Sequence, residues 1–219
     1  MSLTRRLIAE GLGTALLTAT VIGSGIMAER LCGGNGAVAL LANALATGAG
    51  LFAFITVFAP VSGAHFNPVV TLHAWRSGEM GGKSGLGYIA SQFAGAFAGV
   101  TLANLMFAGP AVSLSRQFRT GPGQWLGEAV ATFGLLTLIT GCARKRPAMT
   151  PLVVAAYIVA AYWFTSSTSF ANPALTFGRM FSDTFAGIRP ADVAGFVLAQ
   201  LAGGLAASFI APWLFRDAA

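Results

Sequence analysis

The chain has 219 residues, of which 55% are hydrophobic and only 9% are charged, and its formal net charge is +6 at pH 7. Soluble globular domains carry about 25% charged residues, so this composition excludes a soluble fold of this length. It also excludes a disordered chain, a collagen-like repeat and a disulfide scaffold. It indicates an all-α membrane protein that crosses the lipid bilayer several times.

Six apolar stretches are long enough, or nearly so, to cross a bilayer as helices of about 20 residues. In chain order, the predicted spans are Leu7–Met27, Ala37–Ala59, Leu86–Ala108, Gln124–Cys142, Thr150–Thr168 and Ala191–Phe215. Two further apolar stretches, Phe66–Trp75 and Ala171–Phe181, are about half as long and follow the second and fifth spans with almost no polar linker. This arrangement predicts two re-entrant half-helices.

The basic residues lie between the apolar stretches, and the longest basic run is Arg144–Arg146. Such spacing is typical of membrane loops and argues against a nucleic-acid partner. With the spans above, eight basic residues fall on the side of the two termini and five on the other side. The positive-inside rule therefore predicts that both termini are cytoplasmic.

The two halves of the chain resemble each other. Ala9–Thr14 recurs as Gly127–Thr132, Asn67–Val69 as Asn172–Ala174, and Ala90–Gly95 as Leu198–Gly203. Each half holds three spans, so the second half enters the membrane from the opposite side. We therefore expect a single domain over 1–219, made of inverted repeats 1–108 and 124–215 linked by 109–123, with a shared site near the midplane.

An Asn-Pro pair stands near the start of each half-length stretch, as Asn67-Pro68 and Asn172-Pro173. Asn is a strong N-cap residue, and Pro at the first helical position gives up an N–H that has no partner there. A single Asn-Pro could simply end a loop, but a matched pair after matched spans favours two helix starts. Inverted half-helices would meet N-terminus to N-terminus and offer amide donors and positive dipole ends to a passing solute.

These motifs resemble those of the major intrinsic proteins, the aquaporins and aquaglyceroporins. Ser62–Thr71 is similar to the first family signature and Phe170–Ala174 to the second. The resemblance implies an hourglass fold with one pore per subunit, a homotetramer, and neither cofactor nor metal. It assigns the pore motifs to Asn67, Pro68, Val69, Asn172, Pro173 and Ala174. It assigns the support of the pore loops to Glu10, Glu128, His65, Gln92 and Gln200.

The chain departs from the family pattern in three places. The first signature reads Asn-Pro-Val, a small increase in volume that we expect helix packing to absorb. Leu175 stands where the resemblance implies a selectivity arginine after the second signature. Counting back from the two asparagines without a gap places Thr47 and Ala160 at the filter, with Ser169 beside the second signature.

Arg179 follows Asn172 by two helical turns, and its Cα is expected to lie about 10 Å further along the helix. We therefore expect its side chain to snorkel to the membrane interface rather than to line the throat.

Thr47, Ala160, Ser169 and Leu175 are small or aliphatic, which predicts a wide filter without a fixed charge. A bacterial subgroup linked to arsenic handling is similar in its changed first signature and its aliphatic residue in place of the arginine. The resemblance then implies a passive inner-membrane channel for small neutral solutes: polyols, arsenite, methylated arsenicals and water. It does not imply an enzyme.

A water-selective pore is the alternative. A proton-coupled transporter is a rival of a different class, since Glu10 and Glu128 are intramembrane acids.

Overall fold

A computed structural model describes residues 1–216; residues 217–219, the end of the predicted domain, lie outside the described residues. The described part holds eight α-helices. They are α1 Leu3–Leu31, α2 Gly36–Ser62, α3 Pro68–Arg76, α4 Gly82–Met106, α5 Pro122–Lys145, α6 Thr150–Phe164, α7 Pro173–Arg179 and α8 Pro190–Leu214, with a 3₁₀ turn at Pro147–Met149 before α6.

The six predicted spans are confirmed as helices that are long and apolar enough to cross a membrane. The two predicted half-helices are confirmed as α3 and α7, although each begins at the proline of its Asn-Pro pair. The fifth span is shorter than predicted because the chain turns extended at Thr165, with φ −106° and ψ 141°.

The half-helices begin where the Asn-Pro chemistry predicts. The side-chain oxygen of Asn67 accepts a hydrogen bond from the Val69 amide at 2.9 Å. That of Asn172 accepts from the amides of Ala174 at 3.0 Å and Leu175 at 3.3 Å. Each asparagine thus satisfies amides of the first helical turn that have no partner within the helix.

The two halves of the chain interlock. Helix α1 packs on α4 and α2, and α5 packs on α8 and α6. Helix α3 lies against α4 of its own half and α8 of the other, and α7 lies against α4 and α8. Both half-helices are therefore held between the two halves, which brings their N-termini together.

Glycines allow the closest of these helix contacts. A Cβ at Gly95 or Gly99 would overlap the backbone carbonyl of Gly11 or Ala15 on α1, and a Cβ at Gly203 would overlap that of Ala129 on α5. Gly95, Gly99 and Gly203 thus serve close contacts between helices of one chain.

Candidate functional site

The two asparagines are tied to each other's loops near the centre of the molecule. Asn67 Nδ2 donates to the Ala171 carbonyl at 2.7 Å, and Asn172 Nδ2 donates to the Phe66 carbonyl at 2.8 Å. A primary amide carries two N–H donors, so one N–H of each side chain remains for a solute. Both asparagines line one cavity, as the sequence predicted.

The loops that precede the half-helices have the same unusual backbone in both halves. Ala64 and Phe66 have φ of 51° and 49°, and Ser169 and Ala171 have φ of 51° and 48°. None of these residues is glycine, so each costs on the order of 1–3 kcal/mol and needs outside support. Two buried glutamates, one from each half, provide that support.

Glu10 on α1 binds the first loop with both carboxylate oxygens. It accepts hydrogen bonds from the amides of His65 at 3.0 Å and Phe66 at 2.7 Å, and from Ser62 Oγ at 2.6 Å. Gln92 on α4 donates to Glu10 at 2.8 Å and fixes the orientation of the carboxylate. The side chain of Glu10 is fully buried, and its acceptors serve the loop.

Glu128 on α5 repeats the arrangement for the second loop. It accepts from the amides of Phe170 and Ala171, both at 2.8 Å, and from Gln200 Nε2 at 2.6 Å. The structure therefore brings Glu10, Glu128, Gln92 and Gln200 to the positions that the resemblance implied.

Two threonines that we did not predict as site residues complete these networks. Gln92 Nε2 also donates to Thr71 Oγ1, and Gln200 Nε2 to Thr176 Oγ1, both at 2.9 Å. Each threonine lies four residues after its asparagine, so the matched Asn-Pro-x-x-Thr spacing was a signal in the sequence. These bonds link the half-helices to α4 and α8.

His65 reaches the cavity next to the first loop. Its Nδ1 lies 3.1 Å from Thr71 Oγ1, and its ring packs edge to face on Tyr88 with the centroids 5.3 Å apart. The His65 amide binds Glu10, so the residue contributes to the loop support through its backbone.

A cavity of about 310 Å³ runs past the two asparagines, and the residues around it come from both halves. On α2, Thr47 contributes a hydroxyl whose oxygen lies 3.2 Å from the Tyr162 hydroxyl oxygen on α6. Ser169 and Leu175 also line it, as predicted. Ser169 Oγ is buried and makes no hydrogen bond within residues 1–216.

The prediction that Ala160 lines this throat is wrong. Val154, Ile158 and Tyr162 line the cavity at intervals of four residues, which is one face of a helix. Ala160 lies two residues from both Ile158 and Tyr162, so it projects from the opposite face and is exposed. A count from Asn172 gives a position along the chain but does not determine which face of α6 that position occupies.

Arg179 lies where we did not expect it. Its side chain is only 2% exposed and lines the same cavity as Leu175, so the predicted snorkelling is wrong. Its Nε donates to the Ala186 carbonyl at 2.5 Å, and its guanidinium carbon lies 3.2 Å from the centroid of the Phe170 ring. The cavity is therefore not free of fixed positive charge.

A second arginine lies beside this site on the connection between α4 and α5. Arg119 Nε donates to the Gly187 carbonyl at 2.7 Å and its guanidinium carbon lies 5.0 Å from the Phe170 ring centroid. Burial lowers the pKa of the Arg119 guanidinium from its ordinary value.

The enlarged third residue of the first signature is accommodated by a glycine. Val69 is 3% exposed and packs with Val70, Leu136 and Ala207. A Cβ at Gly204 on α8 would overlap Val69 Cγ1, so the missing side chain of Gly204 provides the space for the valine. The expectation that packing absorbs this change is confirmed.

This geometry has close counterparts among known proteins. The sequence profile of the family described as major intrinsic protein matches residues 1–165. The chain belongs to the major intrinsic protein family. It is similar to aquaglyceroporin AqpS of Rhizobium meliloti, with 50% identity over 216 residues, 99% of this chain and 92% of the relative. It is also similar to probable aquaporin AqpM of Archaeoglobus fulgidus, with 29% identity over 245 residues and 99% of each chain covered.

The X-ray structure of the aquaglyceroporin from Plasmodium falciparum has the same fold. The TM-score is 0.73 at 21% identity, and the match covers 94% of each chain. The predicted fold, six spans with two re-entrant half-helices, is thus confirmed. As a major intrinsic protein the chain is a membrane channel and not an enzyme.

Proposed function

We propose that this channel passively conducts small neutral solutes of the glycerol type, together with metalloid acids such as arsenite, neutral methylated arsenicals, and water. The observation that carries the proposal is the wall of the throat: Thr47, Tyr162, Ser169 and Leu175 line it, and the residue after the second signature is aliphatic. The similarity to a protein named as an aquaglyceroporin supports a solute larger than water.

The lining supplies both kinds of contact that a polyol or a trihydroxy acid needs. One N–H on each of Asn67 and Asn172 can bind hydroxyl groups. Leu17, Val21 and Ile158 form apolar wall on the other sides. A chain of hydroxyls can therefore exchange hydrogen bonds along one side while carbon or the metalloid faces the apolar wall.

The contacts of the two glutamates argue against proton coupling. Glu10 and Glu128 each accept two backbone amide hydrogen bonds and one from a glutamine. A carboxylate that holds a strained loop cannot take up and release a proton without freeing that loop. Conduction is therefore passive in this proposal, and uptake does not depend on a proton gradient.

The proposal also covers the oligomeric state, the membrane and the orientation of the channel. We infer that it is a homotetramer in the inner membrane of a bacterium, with both termini in the cytoplasm. Once the buried Arg179 is left out, eight basic residues lie on the side of the termini and four on the other side, which supports the orientation. Side chains that are exposed in the single chain, such as Phe52, Val57 and Trp163, suit contact with lipid or a second subunit.

Leu175→Arg tests the throat. We expect the added guanidinium to narrow the cavity and to reduce glycerol and arsenite flux more than water flux, by about tenfold or more for the larger solutes. Stopped-flow light scattering on proteoliposomes measures all three. Leu175→Met keeps the volume without adding a charge and is expected to have a much smaller effect. An equal loss of water and glycerol flux in the arginine variant would contradict the proposal.

A water-selective pore is the competing function. It predicts that the wild-type protein accelerates water flux alone and that Leu175→Arg has no glycerol flux to remove. The same solute series therefore separates the two functions.

A further inference from the structure

Arg179 is a charged residue in the wall of the cavity, and the passage of neutral solutes alone does not account for it. It lies within the membrane-embedded part of the molecule, is 98% buried, and has no carboxylate within 4 Å among residues 1–216. Charged side chains are expensive in such places and mark functional sites.

The contacts of Arg179 hold only part of its guanidinium. Within the described residues, its one hydrogen bond runs from Nε to the Ala186 carbonyl. The Phe170 ring supports the flat face of the group. The two terminal nitrogens, with four N–H donors between them, make no hydrogen bond to the described protein, and the side chain lines the cavity. These donors are left for water or solute in the cavity.

The direction of a helical side chain explains how Arg179 reaches the throat. Arg179 follows Leu175 by one turn, a rise of about 6 Å. Helical side chains tilt toward the N-terminus of their helix and cover the preceding turn. A long arginine side chain at 179 can therefore bring its charge back toward the level of Leu175, which a count of Cα positions does not reveal.

The charged side chains around Arg179 leave this part of the cavity positive. Arg119 approaches the same Phe170 ring, and its terminal nitrogen Nη2 donates to the Phe185 carbonyl at 3.1 Å. The carboxylate of Glu128 is bound to the amides of Phe170 and Ala171 and to Gln200. Two guanidiniums therefore lie near one ring. A second buried carboxylate, Asp192, accepts from the Arg119 amide at 3.0 Å but is paired with Arg189 at 2.7 Å, so the group as a whole remains positive.

We propose that Arg179 is the cation barrier and hydroxyl donor of this channel, placed one helical turn beyond the position occupied by Leu175. The throat then admits neutral solutes past an aliphatic residue while the displaced charge repels cations. The inference rests on the proposed function only in taking the cavity as the conduction path.

Arg179→Gln tests this barrier with little change to the packing. Glutamine Nε2, like arginine Nε, is bonded to Cδ, so it can keep the hydrogen bond to Ala186 while the charge and the terminal donors are lost. We expect wild-type proteoliposomes to hold sodium and proton gradients, and we expect Arg179→Gln to leak both cations about tenfold faster or more. The measurement is the decay of each gradient, followed with ion-sensitive dyes. The matched control is Arg116→Gln, whose arginine side chain is 91% exposed, and it should stay tight.

A second variant moves the positive charge from position 179 to position 175. It distinguishes the effect of the charge from the effect of the packing contacts of Arg179. The double variant Leu175→Arg with Arg179→Gln restores a guanidinium one turn away without restoring the original contacts, and we expect it to be tight again. A leak in the wild-type protein, a tight Arg179→Gln variant, or a double variant that leaks as fast as Arg179→Gln would each overturn the inference. A leak in the wild-type protein overturns the inference even if a variant fails to fold.

A different measurement would contradict the proposed function. Glycerol and arsenite fluxes are recorded in the same vesicles. Their absence in the wild-type protein would remove the proposed solutes but would leave the cation result standing.

Discussion

Glu128→Leu is expected to abolish solute flux and to lower the free energy of unfolding by about 3 kcal/mol or more. The substitution leaves the amides of Phe170 and Ala171 and the Gln200 side chain without their acceptor in a buried site. Each unsatisfied buried donor costs roughly 1–3 kcal/mol. The loop also holds three residues with positive φ, so it should relax and displace Asn172 from the cavity.

Thermal unfolding in detergent, followed by tryptophan fluorescence, measures the loss of stability, and proteoliposome flux measures the loss of function. Glu29→Gln is a suitable control, because that carboxylate is exposed and accepts only a 3.3 Å hydrogen bond from the Phe185 amide. A Glu128→Leu protein that unfolds at the wild-type temperature and still conducts would show that the carboxylate does not hold the loop.

Thr47→Trp is expected to block glycerol and arsenite almost completely, with a loss of flux on the order of a hundredfold, and to leave some water flux. Thr47 is 3% exposed and lines the same cavity as Asn172 and Leu175, with its hydroxyl oxygen 3.2 Å from that of Tyr162. An indole in place of the hydroxyl fills the space that a solute needs, while the asparagines on α3 and α7 keep their contacts. The loss should therefore depend on the size of the solute.

Thr56→Trp is the matched control for this block. Thr56 lies on the same helix, is exposed, and donates to the Phe52 carbonyl within α2. The same added volume there should not alter the flux. If Thr47→Trp conducted glycerol as fast as the wild type, the cavity beside Thr47 would not be the conduction path.

The half-helices and their support could be predicted because their causes are local and repeated. An Asn-Pro pair defines a helix start by its own chemistry, and two such pairs at matched positions locate both half-helices. Glu10 and Glu128 stand out because a buried acid in an apolar span needs donors, and strained loops offer them. The resemblance of these motifs to the major intrinsic proteins added the partners Gln92 and Gln200.

The errors arose where position along the chain was used in place of side-chain direction. Ala160 was placed in the throat by its distance along the chain from Asn172. The helical face of Val154, Ile158 and Tyr162 shows that Ala160 points away. Arg179 was placed at the interface by the rise of its Cα, although its side chain reaches back along α7. The sequence thus predicts the positions of helices and their N-caps better than it predicts where the ends of long side chains lie.

The throat is more polar and carries more charge than the sequence predicts. An aromatic hydroxyl, Tyr162, stands where a small residue was expected, so the wall near Thr47 is more polar than predicted. A guanidinium lies one turn beyond Leu175, so neutrality at position 175 does not make the whole cavity neutral. The side chains of Tyr162 and Leu175 both project into the cavity, so their positions determine the width of the throat.

The most direct measurement of the central claim is the permeability of wild-type proteoliposomes to glycerol, arsenite and water, determined by stopped-flow light scattering at matched protein density. We predict glycerol and arsenite fluxes well above those of protein-free vesicles, together with measurable water flux. High water permeability with glycerol and arsenite rates equal to those of protein-free vesicles would contradict the account.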